Sequence, residues 1–375
     1  MRTDSTSPGI SDLTTQTTIV RIDTPVAQGQ GFVQAEQVDL DASDFKTENG
    51  VHTEAFGACA VRVRRGALVT EGCRSTSQSV SGPSVAVGWK NDQVAVDIGH
   101  TPQGFEVGNW LGGVAYSGAW KSVGWTLTAS RRPMTNSVIS YAGAVDPVTG
   151  LRWGGVTSNG FTLSLSHDEG GVDGLWASLG THWLRGKNVA DNYRFSAMGG
   201  YYYRLRDSAD ERMRTGLTLM YWGYDKDLSE YTLGQGGYYS PQQYYSIGVP
   251  LSYAWRNANW SAQLEGSVGW SFSSTESSDL YPQEGGLRSA GYEIDDENAT
   301  LTSSGSSSAG ASVRMQAQVE RRLSNNLMLG TGVSLQHSEG YAPSRAMLYL
   351  RYNFDEWQGN LPMPIEPVSP YADMR

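Results

Sequence analysis

The stretch SAQLEGSVGWSF, residues 261–272, alternates between two kinds of side chain. Ala262, Leu264, Gly266, Val268, Trp270 and Phe272 share one face of an extended chain. Ser261, Gln263, Glu265, Ser267, Gly269 and Ser271 take the other. Successive side chains of a strand point to opposite sides, so this segment carries one apolar and one polar surface. SVRMQAQVE (312–320) and RAMLYLRYNF (345–354) repeat the pattern, and in all three the charged residues stay on one face. Strands of soluble sheets run about 5–6 residues. Here the alternation persists for about 9–12, the length of a tilted membrane-spanning strand.

The bulk composition agrees with this reading. Charged residues are 18% of the 375-residue chain, below the roughly 25% of ordinary soluble domains. No apolar run approaches the ~18 residues of a transmembrane helix, which leaves a barrel open because alternating strands escape hydropathy averages. The net charge of −10 and the lack of a basic stripe argue against nucleic acid as a partner. Met1 is followed by RTDSTSPGISD, which has neither a basic nor an apolar leader region, so an exported chain is expected to be cut from a longer precursor.

Connections alternate in length. Short polar turns at 90–92, 121–124, 207–211, 256–259 and 324–326 are interleaved with longer segments at 43–82, 102–108, 133–158, 185–191, 225–241 and 275–308. Short turns at one end and long loops at the other are how outer-membrane barrels are built. About fifteen strands are visible, from 16–25 to 343–354. The direction of the strand at 16–25 requires another before it, at or before residues 1–8. The expected fold is therefore an all-β, antiparallel, up-and-down transmembrane barrel of sixteen strands, wide enough for an aqueous lumen. Residues 1–12 are expected as a linker or strand remnant, 13–354 as the barrel, and 355–375 as a Pro-rich periplasmic tail. Trp110, Trp183, Trp255, Trp260 and Phe354 sit near strand ends, as aromatic girdles do.

GYDKDLSEYTLGQGGYYSPQQYYSI (223–247) resembles the C-terminal domain of cellulose synthase operon protein C, as do GKNVADN (186–192), GGYYY (199–203), ERRLSNN (320–326), APSRAMLYLRY (342–352) and WQGNLPMPIEPVSPYAD (357–373). RRPMTNSVISYAG (131–143) and DPVTGLRWGGV (146–156) are similar to the same family. The resemblance covers roughly residues 15–375. It implies a sixteen-stranded bacterial outer-membrane barrel that exports cellulose. The implied partners are cellulose, outer-membrane lipids, a periplasmic tetratricopeptide-repeat region and the inner-membrane cellulose synthase complex, with no cofactor.

A β-1,4-glucan is uncharged, with hydroxyls at its edges and C–H faces above and below, so a pore must bind it weakly and repeatedly. Gln263, Glu265, Arg314, Glu320 and Arg351 fall on the polar strand face and mix signs of charge. Alternation places Trp176, Tyr202, Trp222 and Tyr244 on that face also, and Tyr238 and Tyr239 in the loop before it. These are the candidate glucan contacts. Their bland alternatives are cross-lumen ion pairing for the charges and packing against inward loops for the rings. In YTLGQGGYYSPQQYYS (231–246), Tyr238, Tyr239 and Tyr244 are expected at the rim and Tyr245 toward lipid.

An outer-membrane location puts Cys59 and Cys73 in an oxidising compartment, and a disulfide between them is expected; two free thiols are the alternative. DDEN (295–298) lacks the spacing of a calcium loop, so no metal is expected. The five histidines show no local Ser-His-acid pattern, which disfavours an outer-membrane enzyme. A porin for another exopolysaccharide remains the rival function. The tail, with prolines at 362, 364, 367 and 370, favours an extended chain. At about 3.1 Å per residue it spans up to ~65 Å, enough to enter the lumen or meet a periplasmic partner.

Overall fold

The computed structural model describes residues 2–3, 9–44, 55–59, 62–65, 68–69, 77–289, 291–295, 302–338 and 343–374. Sixteen strands form one antiparallel ladder, and a further two-residue strand, Ala144–Val145, pairs with Arg152 and Trp153 beside it. The first four are β1 (Arg2–Thr3), β2 (Thr14–Val26), β3 (Gly29–Asp44) and β4 (Ser77–Lys90). Next come β5 (Val94–His100), β6 (Trp110–Trp120), β7 (Val123–Pro133) and β8 (Arg152–His167). They are followed by β9 (Asp173–Lys187), β10 (Asn192–Asp207), β11 (Glu211–Tyr224) and β12 (Gln243–Arg256). The last are β13 (Trp260–Thr275), β14 (Ser306–Arg322), β15 (Leu327–His337) and β16 (Pro343–Tyr352).

Each strand pairs with its neighbours in sequence, and β1 closes the ring. Arg2 lies opposite Thr14 of β2 on one side and Ser344 of β16 on the other, and Thr3 lies opposite Pro343. The strand required before residue 16 is therefore present, and it leaves the sheet without an open edge at that rim.

Turn chemistry explains the short end. Ala27 and Gln28 both have positive φ (50° and 60°), the two-residue geometry whose twist matches a hairpin. Asn91 Oδ1 accepts from the amides of Gln93 and Val94, and Asn257 Oδ1 from those of Asn259 and Trp260. Both asparagines mimic a backbone turn with their own side chains. At the opposite end, the segment expected as loop over 133–158 contains the first part of β8, which starts at Arg152. A bulge between Gly154 and Thr157 hid this start from the period-2 pattern.

The outward faces form an apolar band. Val20, Ile22, Leu264, Val268, Trp270, Leu348 and Leu350 are all exposed, a surface that suits hydrocarbon rather than water. Trp110, Trp183, Trp255, Trp260 and Phe354 also face outward near strand ends. Among the described residues no helix is long and apolar enough to cross a membrane.

The protein's packed cores lie inside the ring. Segments from the long connections meet in a cap over one end of the lumen. Phe56 and Gly57 run parallel to Tyr231 and Thr232, and the short helix α1 (Val138–Ala142) starts from a Ser137–Ser140 capping box. Trp153, Ile139, Leu184, Leu228, Leu233, Tyr238 and Tyr281 are buried together there. The tail fills a second part of the lumen.

Candidate functional site: the barrel lumen

The segment after β16 turns back into the barrel, so of the two routes open to an extended tail of this length it takes the one into the lumen. Its path is recorded by hydrogen bonds. Leu361 N donates to Asn257 O, Ser261 Oγ to Pro362 O and Ile365 N to Gln263 Oε1. Higher up, Arg351 donates to Glu366 O, Gln34 to Ser369 O and Tyr371 N to Glu36 Oε1 at 2.7 Å. Prolines suit this route, because they lack the amide that would otherwise need a partner.

Tyr371 is the anchor of that path, only 2% exposed. Its hydroxyl donates to Asp97 Oδ1 at 2.6 Å, and Asp97 takes a bidentate pair of bonds from Arg132, both at 2.7 Å. Charge-assisted and bidentate contacts are the strong ones among hydrogen bonds. Ala372 then packs against Leu13, Val38, Leu40, Phe105 and the α1 residues Val138 and Tyr141. One chain segment therefore links the short-turn end of the barrel to the cap.

The tail's hydrogen bonds and packing use β3–β7, the turn ends of β12–β14, and β16. Elsewhere it touches the Asp210 turn between β10 and β11, where Asn360 Nδ2 donates to Asp210 Oδ1 at 2.8 Å. The Asn360 amide first, and then the Arg256 guanidinium, hold the Asp210 carboxyl below its usual range. Another turn carboxylate, Asp168, is lowered to about 2, mainly by the hydrogen bond from the Tyr202 hydroxyl. It also takes an ion pair from Arg204.

The predicted pore residues separate into three groups. Gln263, Glu320 and Arg351 belong to the tail's surroundings. Gln263 bonds Glu265 at 2.7 Å and the tail amide of Ile365. Glu320 is fully buried, accepts from the Tyr349 hydroxyl at 2.7 Å and pairs with Arg351 at 3.5 Å. Arg314 stays exposed beside Gln316.

Tyr238 is a correction. It is 1% exposed inside the cap, and Asn192 Nδ2 donates to its hydroxyl at 3.1 Å, so its ring is not offered to a passing chain. Burial pushes its phenol well above the usual value, and that of Tyr231 in the same cap to about 12. Its glycine-rich neighbours permit this inward fold: Gly234 and Gly237 both have positive φ.

The third group is aromatic. Trp176, Tyr202, Trp222 and Tyr244 face the lumen and are half-buried. Trp222 and Tyr244, directly opposite on β11 and β12, have centroids 4.8 Å apart and planes 33° apart. Tyr239 abuts Trp222 edge-on at 5.6 Å, and Tyr245 faces out, 48% exposed. Guanidinium groups of Arg204 and Arg214 flank the Tyr202 ring at 5.3 and 5.6 Å.

Sequence reasoning missed the Gln34–Glu36–Asp97–Arg132–Tyr371 network. Glu36 and Gln34 alternate with Val38 and Leu40 on one strand face, a mixed surface that signals an occupied lumen rather than an open one. Cys59 is disulfide-bonded, while Cys73 lies outside the described residues, as does most of DDEN. Among the described residues no three His, Cys, Asp or Glu side chains cluster as metal ligands.

Comparison with known proteins places this architecture. The sequence profile of the family described as "Cellulose synthase operon protein C C-terminus" matches residues 11–355. The chain belongs to this family. It is 42% identical over 97% of its length to cellulose synthase operon protein C of Salmonella typhimurium, and 41% identical over 97% to that of Escherichia coli K12. Cellulose synthase 1 operon protein C of Komagataeibacter xylinus is 31% identical over 73% of the chain. The chain spans about 30% of the Salmonella relative's length, 31% of the Escherichia relative's and 23% of the Komagataeibacter relative's. A solved structure described as a bacterial polysaccharide outer membrane secretin superposes with a TM-score of 0.52. It covers 93% of this chain and 94% of its own, at 10% identity, and so shares the family's barrel fold.

Proposed function

We propose that the chain is an outer-membrane conduit through which cellulose leaves the periplasm for the cell surface. Membership of the family carries this reading, and the lumen chemistry supports it. Polymerisation by an inner-membrane synthase drives the glucan, a periplasmic tetratricopeptide-repeat region delivers it, and outer-membrane lipids surround the barrel. Threading a polymer makes and breaks no covalent bond, so the conduit needs neither a cofactor nor catalytic residues.

The charge arrangement favours a neutral polymer over a polyuronate. Arg132, Arg204 and Arg351 are each ion-paired with a carboxylate of the barrel, Asp97, Asp168 and Glu320, while the lumen arginines Arg194, Arg214 and Arg314 have no ion pair among the described residues. Paired arginines do not supply the cationic field that would draw in a polyanion. The test is single-channel recording in planar bilayers, with oligosaccharides added at the periplasmic face. Cello-oligosaccharides are expected to block in proportion to concentration. Block by uronate oligomers alone would replace cellulose with an acidic exopolysaccharide.

A further inference from the structure

The lumen has a wall that the tail does not use. Among the described residues, no hydrogen bond joins the tail to β8, β9 or β11, and its contact near β10 is at the Asp210 turn. Strand register identifies what this wall presents. Thr128 on β7, Ser164 on β8, Ser178 on β9, Ser196 on β10, Thr218 on β11 and Ser246 on β12 all face the lumen. None of these six hydroxyls is hydrogen-bonded to another described side chain or backbone group. Charges stand at the two ends of the wall, with Asp168, Arg204 and Arg214 below and Arg194 above.

Two aromatic features run through the hydroxyls. Trp176 lies opposite Gly200, and a Cβ added to that glycine would stand 2.6 Å from Trp176 Cε2 and 2.8 Å from Cζ2. The missing side chain therefore lets the indole lie against the wall, with its other face to the lumen. Nearer the cap, the inclined pair of Trp222 and Tyr244 provides a second pad. Beyond that, His182 and Ser158 are 7% and 6% exposed, and His182 Nδ1 and Ser158 Oγ have no hydrogen-bond partner. Both atoms are enclosed, as the Tyr238 ring is, so they mark where the free surface of the wall ends.

We infer that a neutral polyol chain travels along the β7–β12 wall, beside the tail, with Trp176 and the Trp222–Tyr244 pair as stacking pads. This rests on the proposed function and specifies where in the lumen it operates. Short hydroxyls exchange hydrogen bonds with sugar hydroxyls as the chain slides, and each is too weak to hold it. Ring faces meet the C–H faces of the sugars with little orientational demand.

The experiment uses the full chain in planar bilayers, with cellohexaose at the periplasmic face, and parallel photo-crosslinking with a diazirine-bearing cello-oligosaccharide. Trp176→Ala and Ser178→Arg are each expected to weaken block by about three- to tenfold, the scale of one aromatic or steric contact. Trp176→Phe is expected to restore most of it, and Ser334→Arg on β15 to leave it unchanged. Heat-modifiable migration checks folding of every variant. Crosslinks are expected in peptides from β8–β12. Crosslinks confined to β14–β16, β3 or the tail, or equal loss of block from Ser178→Arg and Ser334→Arg, would overturn the inference while leaving cellulose export standing. No cellohexaose block by the unaltered chain, with block by uronates, would overturn the export reading itself.

Discussion

Two walls of the same lumen solve opposite problems. On the wall from β13 through β16 to β7, Arg351, Gln34, Glu36 and Asp97 hydrogen-bond a segment of the protein's own chain, while Glu320 and Arg132 pair with Arg351 and Asp97 behind them. The wall from β8 to β12 presents serines, threonines and glycines between a few rings. Hydrogen bonds that involve a charged group are roughly twice as strong as neutral ones, so the first wall suits a fixed occupant. The second suits one that must move. Selectivity in such a lumen therefore comes from where strong contacts are withheld as much as from where they are made.

Removing the fixed occupant is the largest perturbation of this contrast. Deletion of 357–375 is expected to raise single-channel conductance severalfold, because it empties the charged side while the ladder, which it does not enter, stays closed. Heat-modifiable migration on gels should be retained. Unchanged conductance and unchanged export would mean that the tail is a passenger.

The cap comes next. Trp153 is fully buried against Phe56, with ring centroids 5.2 Å apart. Trp153→Ala should loosen the cap by about 3–5 kcal/mol, the usual cost of truncating a buried aromatic. The expected signature is faster hydrogen exchange in 137–143 and 231–240, with exchange in β9–β12 unaltered. Uniform loosening of the whole barrel would show that cap and ladder are one cooperative unit.

Cutting the anchor is smaller. Tyr371→Ala removes the contacts to Asp97 and to the Gly99 backbone side and leaves the Arg132–Asp97 pair intact. The tail tip should become accessible to limited proteolysis near 369–374, with conductance rising less than on deletion. Protection equal to that of the unaltered chain would assign the anchoring to Arg345–Asp373 and the proline-rich middle instead.

The smallest effect is at the Asp210 turn. Asp210 titrates below its ordinary range when folded, so its contribution is fully present above about pH 4 and is lost as pH falls through its lower folded value. Acidification below about pH 4 should increase cleavage near Asn360, and Asp210→Asn should flatten that dependence. Equal pH dependence in both proteins would move the titration to another carboxylate.

Much of the ladder was readable beforehand. Residues 261–272 run unbroken through β13, and the strand inferred before residue 16 is β1. The start of β8 was lost because the Gly154–Thr157 bulge breaks the alternation. Parity alone sets Trp176, Tyr202, Trp222 and Tyr244 on the polar strand face, and the strand register keeps that face toward the lumen; contact with glucan is a proposal. Tyr238 was misplaced because a glycine-rich loop carries no parity: backbone freedom at Gly234 and Gly237 let it fold inward rather than out.

Alternation is a local property, set by the pleat of a strand, so the sequence by itself determined a membrane barrel, its short and long ends, and which side chains share a face. Occupancy of the lumen depends on contacts between residues far apart in the chain. Gln34 and Ser369, or Glu36 and Tyr371, are separated by 335 positions, and no periodicity links them. Only the closed tertiary structure brings them together, and with them it divides the lumen into a wall that holds the tail and a wall left free.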